Sequence, residues 1–163
     1  MPAADAKAAR PLADDEIHDL LDPHLNQPAL LLAVSGGPDS LGMLAAFARW
    51  RERSAAGPAI HVAAVDHGLR PESASECAMV QRAAVRFGLS CDVLRWEGDK
   101  PATGLQEAAR DERYRLLATR ARALGAPLIV LAHHQDDQAE TVIMRLVRGS
   151  GPLGLKGMAT VSE

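Results

Sequence analysis

Ala29-Leu30-Leu31-Leu32-Ala33-Val34, followed directly by Ser35-Gly36-Gly37-Pro38-Asp39-Ser40, decides the fold. Six apolar residues in a row that end at turn-forming residues read as a short strand buried on both faces. A helix-like apolar stretch follows over residues 40–53. Two adjacent glycines let the backbone turn tightly and approach a ligand without Cβ obstruction. The helix N-terminus then offers unpaired N–H groups and the positive end of a dipole, which suits phosphate. Pro38 and Asp39 fit the helix start, where a missing N–H costs little and an acid is favoured. No Lys precedes Ser40, so the loop is not a Walker A sequence, and a kinase-type grip on a γ-phosphate is not expected. The plain alternative is an ordinary strand-to-helix turn.

Outward from this segment the pattern alternates. Residues 60–65 form a second apolar run that ends at Asp66-His67-Gly68, and residues 91–94 a third, weaker one. A fourth covers residues 128–132. Between them, residues 73–87 and 105–124 have helical period, the latter closed by Gly125; a further helix is expected over about 136–147. Upstream, residues 1–12 read as a loose leader, and Asp14 or Asp15 starts a short helix stopped by Pro23. The expected division is therefore a leader and short helix over 1–25 and a nucleotide-binding domain over 26–163. Alternating strands and helices imply right-handed βαβ units: an α/β doubly wound parallel sheet of about four strands, with helices on both faces. In such sheets ligands bind beyond the carboxyl ends of the strands. Three polar clusters, 35–40, 66–70 and 133–141, fall at those ends.

The composition sets limits. Hydrophobic residues are 47%, charged residues 24% and aromatics 3%, so a single soluble domain must build an aliphatic core. No apolar run approaches membrane-spanning length, and no signal-peptide pattern opens the chain. The two cysteines, Cys77 and Cys91, form no C-x-x-C pair, and reduced thiols in the cytoplasm are expected. A net charge of −3 argues against strong non-specific nucleic-acid binding by this stretch alone.

The second cluster, Asp66-His67-Gly68-Leu69-Arg70-Pro71-Glu72-Ser73, puts polar side chains at a strand end; Ser73 and Glu76 have the spacing of a capping box. The third is His133-His134-Gln135-Asp136-Asp137-Gln138-Ala139-Glu140-Thr141. On a helix, Asp136, Asp137 and Glu140 share a face, a set that suits Mg²⁺, an incoming amine or proton transfer. Dipole complementarity alone accounts for one or two of these acids. Opening the long helix, Gln106-Glu107-Ala108-Ala109-Arg110-Asp111-Glu112-Arg113-Tyr114 sets Arg110 and Arg113 on one face. Arg148-Gly149-Ser150-Gly151-Pro152-Leu153-Gly154-Leu155-Lys156-Gly157-Met158 is a glycine-rich basic loop or a plain connector.

Ser-Gly-Gly-x-Asp-Ser after the first strand resembles the PP-loop of the N-type ATP pyrophosphatases. With Asp-His-Gly-Leu-Arg, Gln-Glu-x-x-Arg-x-x-Arg-Tyr, His-x-Asp-Asp-Gln-x-Glu-Thr and Arg-Gly-Ser-Gly-x-x-Gly-Leu, all in order, the chain is similar to the bacterial tRNA(Ile)-lysidine synthetase family from about residue 29 onward. The resemblance implies an enzyme that uses ATP and Mg²⁺ to adenylate the wobble cytidine of a CAU-anticodon tRNA(Ile), releasing pyrophosphate. Free L-lysine then displaces AMP. It implies that Ser35, Gly36, Gly37, Pro38, Asp39 and Ser40 hold the ATP phosphates, with Asp39 and Asp137 as metal ligands. Asp137, Glu140 and Asp136 would form the acidic group, and His67, Arg113 and His134 would stand near the transferred phosphoryl group or target base. Family members continue past this point, so a truncated domain is expected. Homodimer formation stays open. The alternatives are a thiolase-type PP-loop enzyme, which generally relies on cysteines, and a non-catalytic nucleotide-binding module.

Overall fold

Residues Ala29–Ala33 form β1, and all five are buried. A computed structural model shows why: the strand lies inside the sheet, paired in parallel with a neighbour on each side. The structure describes residues 10–133 apart from 23–25 and 55. The elements are α1 (Asp14–Leu21), β1, α2 (Pro38–Arg53), β2 (Ala59–Asp66), α3 (Ser73–Arg86), β3 (Cys91–Arg95), α4 (Leu105–Ala123) and β4 (Leu128–Leu131). The sheet order is β3-β2-β1-β4 and every pairing is parallel. The doubly wound α/β architecture expected from the alternating pattern is what forms. The helix expected at 136–147 and the loop at 148–158 lie outside the described residues.

Alternation along β1 divides the core into two layers. Leu30, Leu32 and Val34 join Leu44, Phe47 and Trp50 of α2, Val80 and Ala84 of α3, and Ile17 and Leu21 of α1. Leu31 and Ala33 face the other way, against Leu117 and Ala121 of α4. The short helix read with the leader thus contributes to the main core, and Arg49 fastens it by bonding the Leu12 carbonyl and Asp14.

The chain leaves β1 toward β2 and β3 on one side, and returns through α4 to place β4 on the other. The strand order therefore reverses between β1 and β4, a topological switch point. Ala33 pairs with Leu131, so Ser35 and His133 each lie two residues beyond that rung at the same sheet edge. Among the described residues, no helix is long and apolar enough to cross a membrane.

Candidate functional site

The loop after β1 is held by one side chain. Ser40 is 5% exposed, and its hydroxyl donates to the Gly37 carbonyl at 2.9 Å. The same oxygen accepts from the Ser35 N–H and the Ser35 hydroxyl, both at 3.2 Å. Its hydrogen-bonding capacity is thereby committed to the loop. Gly36 has φ +90°, and a Cβ there would stand 3.0 Å from Met79 Cε and 3.5 Å from Val80 Cγ2 on α3. The glycine is needed for both backbone conformation and close approach. Gly37 is the N-cap of α2 and Pro38 its first residue, so the helix begins two residues earlier than the apolar pattern suggests. Asp39, in the first turn, adds a carboxylate beside the helix N-terminus.

The loop after β2 is closed by Asp66, a buried carboxylate. Asp66 Oδ1 accepts from the Ser73 hydroxyl at 2.6 Å and from the Gly68 N–H at 2.9 Å. The Ser73 bond, aided by the Gly68 N–H and the Arg95 and His67 charges, outweighs burial and holds this carboxyl below its ordinary value. Ser73 consequently does not cap α3. The N-cap is Glu72, with no side-chain cap, and Glu76 pairs with Arg70 at 3.0 Å instead of closing a capping box. A carboxylate is the stronger acceptor for the serine hydroxyl, and the capping expectation is corrected on that ground.

Across the sheet edge, α4 presents Ala109, Arg113, Leu117 and Ala121 at intervals of four, a single stripe toward the strands. Leu117 and Ala121 are buried in the core, and Arg113 continues their line over the strand ends. Arg110 departs from it and lies over the Tyr114 ring, 5.5 Å from its centroid. Of the two arginines that the sequence pairs on one face, only Arg113 reaches the site.

These parts meet in a cleft of roughly 200 Å³ at the carboxyl ends of β1 and β2, lined by Ser35, His67, Leu69, Arg70, Glu76 and Arg113 above a floor of β-strand residues. Three of the expected site residues, Ser35, His67 and Arg113, are brought together. Gly36, Gly37, Pro38, Asp39 and Ser40 stand beside it as the loop frame without lining it. Asp136, Asp137, Glu140 and His134 lie outside the described residues. Leu69 and Arg70 of the Asp-His-Gly-Leu-Arg motif, and Glu76, which the sequence suggests only as a capping residue, join the wall because the loop returns onto α3.

His67 Nδ1 is buried without a hydrogen-bond partner among the described residues. Burial first, then the Arg113 charge, depresses the His67 pKa, with Asp66 opposing. The imidazole is therefore neutral at neutral pH and has an uncommitted ring nitrogen. Arg113 has no carboxylate partner among the described residues, whereas Arg115 and Arg120 are paired with Glu112 and Asp92. A neutral imidazole and an unneutralised guanidinium beside a glycine loop suit an anionic ligand with a hydrogen-bonding head. The described residues include no group of three or more His, Cys, Asp or Glu able to hold a metal ion. Asp39 supplies one carboxylate, and Mg²⁺ is commonly bound by one or two carboxylates with phosphate and water.

Comparison with known proteins bears on the family and the fold. A family model described as PP-loop domain matches residues 10–163. The chain is 58% identical over 136 residues to the tRNA(Ile)-lysidine synthase of Rhodopseudomonas palustris, covering 83% of this chain and 39% of that protein. It is 53% identical over 153 residues to the enzyme of that name from a Bradyrhizobium species, covering 94% of this chain and 43% of that protein. The chain thus spans about two-fifths of the length of these curated relatives. Among solved structures, the U34-tRNA thiolase NcsA of Methanococcus maripaludis, with its 4Fe-4S cluster, superposes with a TM-score of 0.72 at 14% identity, covering 83% of this chain and 49% of that one. The NH3-dependent NAD synthetase of Campylobacter jejuni gives 0.54 at 15% identity, covering 92% and 66%. These two likenesses concern the fold alone. The glycine loop after β1, the switch point beside it and the family match place this chain in the PP-loop domain family, to which it belongs.

Proposed function

We propose that this chain is the nucleotide-binding part of a tRNA(Ile)-lysidine synthase acting in the cytoplasm. The observation that carries the reading is the joining of Ser35, His67 and Arg113 in one cleft beside the glycine loop, in a chain 58% identical to an enzyme of that name. In this reading the backbone N–H groups of loop 35–40 and the first turn of α2 hold the phosphates of ATP. Ser40 acts by fixing the loop, since its hydroxyl is already bonded within it.

The wobble-cytidine 2-carbonyl oxygen attacks the α-phosphorus of ATP; the α–β bond breaks and pyrophosphate leaves. The ε-amine of free lysine then attacks C2 of the base, loses a proton, and AMP departs. Arg113, which makes no ion pair among the described residues, stabilises charge on the transferred phosphoryl group. Neutral His67 lines the cleft and stands near the base or phosphate. Asp136, Asp137 and Glu140, with His134, are assigned to the amine and its proton; they follow in sequence after β4, whose last pair is Ala33 with Leu131, just before loop 35–40. Asp39 and Asp137 would hold Mg²⁺, which when bound neutralises phosphate charge.

A thiolase reading is disfavoured by the thiols. Cys77 is buried and Cys91 is pushed up to about 11, chiefly by burial, so both resist forming the thiolate that such chemistry uses. The deciding experiment is transfer of radiolabelled lysine to a CAU-anticodon tRNA by the full-length protein, with stoichiometric AMP and pyrophosphate. ATP hydrolysis without lysine in the tRNA would remove the assignment.

A further inference from the structure

The chain has two tryptophans, and they occupy opposite environments. Trp50 is 3% exposed in the core. Trp96 is half-buried at the sheet edge, directly after β3. Its N–H donates to the Asp66 carbonyl at 2.9 Å, which continues the β2–β3 ladder by one step and sets Trp96 opposite His67. The two rings meet edge to face, with centroids 6.4 Å apart and planes at 86°. Trp96 is thus the neighbour, across one rung, of a residue that lines the cleft.

Two cations flank the indole. Lys100 lies over it at 5.3 Å from the centroid. Gly68, at φ +59°, lies beside it, and a Cβ there would stand in ordinary contact with the ammonium at 3.6 Å. Arg95 precedes Trp96, and its side chain is 69% exposed, with only a 3.9 Å approach to the already bonded Asp66. Arg95 and Lys100 thus set two exposed cations beside one partly exposed ring, in a stretch that also carries the acids Glu97 and Asp99. An aromatic face with exposed cations beside it is the arrangement that holds single-stranded nucleic acid, the base stacking on the ring and its phosphate meeting the cations.

We infer that Trp96, with Lys100 and Arg95, is a stacking subsite for an unpaired RNA base next to the one that enters the cleft. The inference rests on the tRNA reading above. RNA, rather than the adenine of ATP, is the source of the base because each RNA base carries its own phosphate for Lys100 and Arg95. The ATP phosphates are assigned to loop 35–40, two strands away. The exposed ammonium–indole contact is weaker than base–aromatic stacking, so an incoming base displaces Lys100 from the ring toward phosphate.

Two measurements on the full-length protein test this. First, titration with a seven-nucleotide single-stranded RNA containing CAU is expected to quench tryptophan emission, and Trp96→Phe is expected to lower the amplitude of that quenching. Second, Trp96→Ala is expected to raise the KM for tRNA about tenfold, Trp96→Phe to restore most of it, and neither to move the KM for ATP. Lys100→Ala is expected to weaken tRNA binding and flatten its salt dependence. Absence of quenching in the wild-type protein, or a tRNA KM unmoved by Trp96→Ala, overturns the subsite. An increase confined to the KM for ATP overturns it too, by assigning the ring to adenine. If the wild-type protein transfers no lysine, the functional reading fails on its own, and the quenching titration still decides the stacking.

Discussion

The Ser73 hydroxyl donates to the Asp66 carboxylate across 2.6 Å, joining the end of β2 to the first residue of α3. The loop that carries His67, Leu69 and Arg70 is strung between these two residues. A buried carboxylate with an O–H and an N–H donor fixes the loop's exit and return together. The cleft wall is therefore set by a hydrogen bond between the buried Asp66 and Ser73, which itself lines the cleft.

Asp66→Asn keeps the shape and removes the charge that both donors address. The expected loss of stability is about 1.5–3 kcal/mol, the range for hydrogen bonds to an ionised group. The pH dependence has a definite sign. The folded carboxyl lies below its ordinary 3.8, so its stabilising contribution is fully present above that value and is lost as pH falls through the folded pKa. Urea unfolding at pH 7 and near pH 3 checks this: the gap between wild type and variant should narrow toward acid. A gap constant with pH would show that the charge is not what matters.

Arg113 repels the protonated form of His67, so Arg113→Gln should raise the His67 pKa toward 6.5. NMR titration of the His67 ring reads this directly. With the pKa depressed, wild-type folding loses stability as pH drops below 6.5, because the unfolded chain takes up the proton first. Under the proposed function the same substitution should lower kcat for lysine transfer by roughly a hundredfold, as loss of a charge-stabilising donor does.

Much of the architecture was legible because parallel strands buried on both faces leave near-continuous apolar runs such as Leu30-Leu31-Leu32. His67 was legible as a polar residue at a strand end. Other features depend on distant partners. Local rules give Ser73 a capping role, and only the folded chain offers it Asp66. Arg110 and Arg113 look equivalent at a spacing of three until the buried stripe through Leu117 selects Arg113. Trp96 carries no motif, and its place beside His67 follows from the β2–β3 register, which no window of sequence contains.

Gly36→Ala combines two penalties of unequal weight. Met79 Cε, 3.0 Å from the added methyl, ends a flexible and partly exposed side chain that can move away. The backbone at φ +90° cannot change without moving the loop, and strain there costs about 1–3 kcal/mol. ATP binding, measured by calorimetry, should fall at least tenfold in Gly36→Ala, and adding Met79→Ala should not restore it. Recovery in the double variant would show that contact, not conformation, demands the glycine.

Gly57→Ala is the matching case in which conformation is ordinary and contact decides. No left-handed φ occurs there, yet a Cβ would stand 2.2 Å from Trp50 Cη2 and within 3.2 Å of two other ring atoms. Trp50 is 3% exposed and rigid in the core, so it cannot yield as Met79 can. The expected cost is about 1–3 kcal/mol, the usual range for overpacking. Trp50→Phe removes the atoms that clash and leaves a void of its own. The double variant should therefore be more stable than the two single losses predict, by about 1 kcal/mol. Thermal unfolding of the four proteins checks this, and strict additivity would mean that the clash is relieved by backbone movement instead. Trp50 lies near the carboxyl end of α2, away from the loop at its start, so ATP affinity should stay at the wild-type level in Gly57→Ala while the protein remains folded.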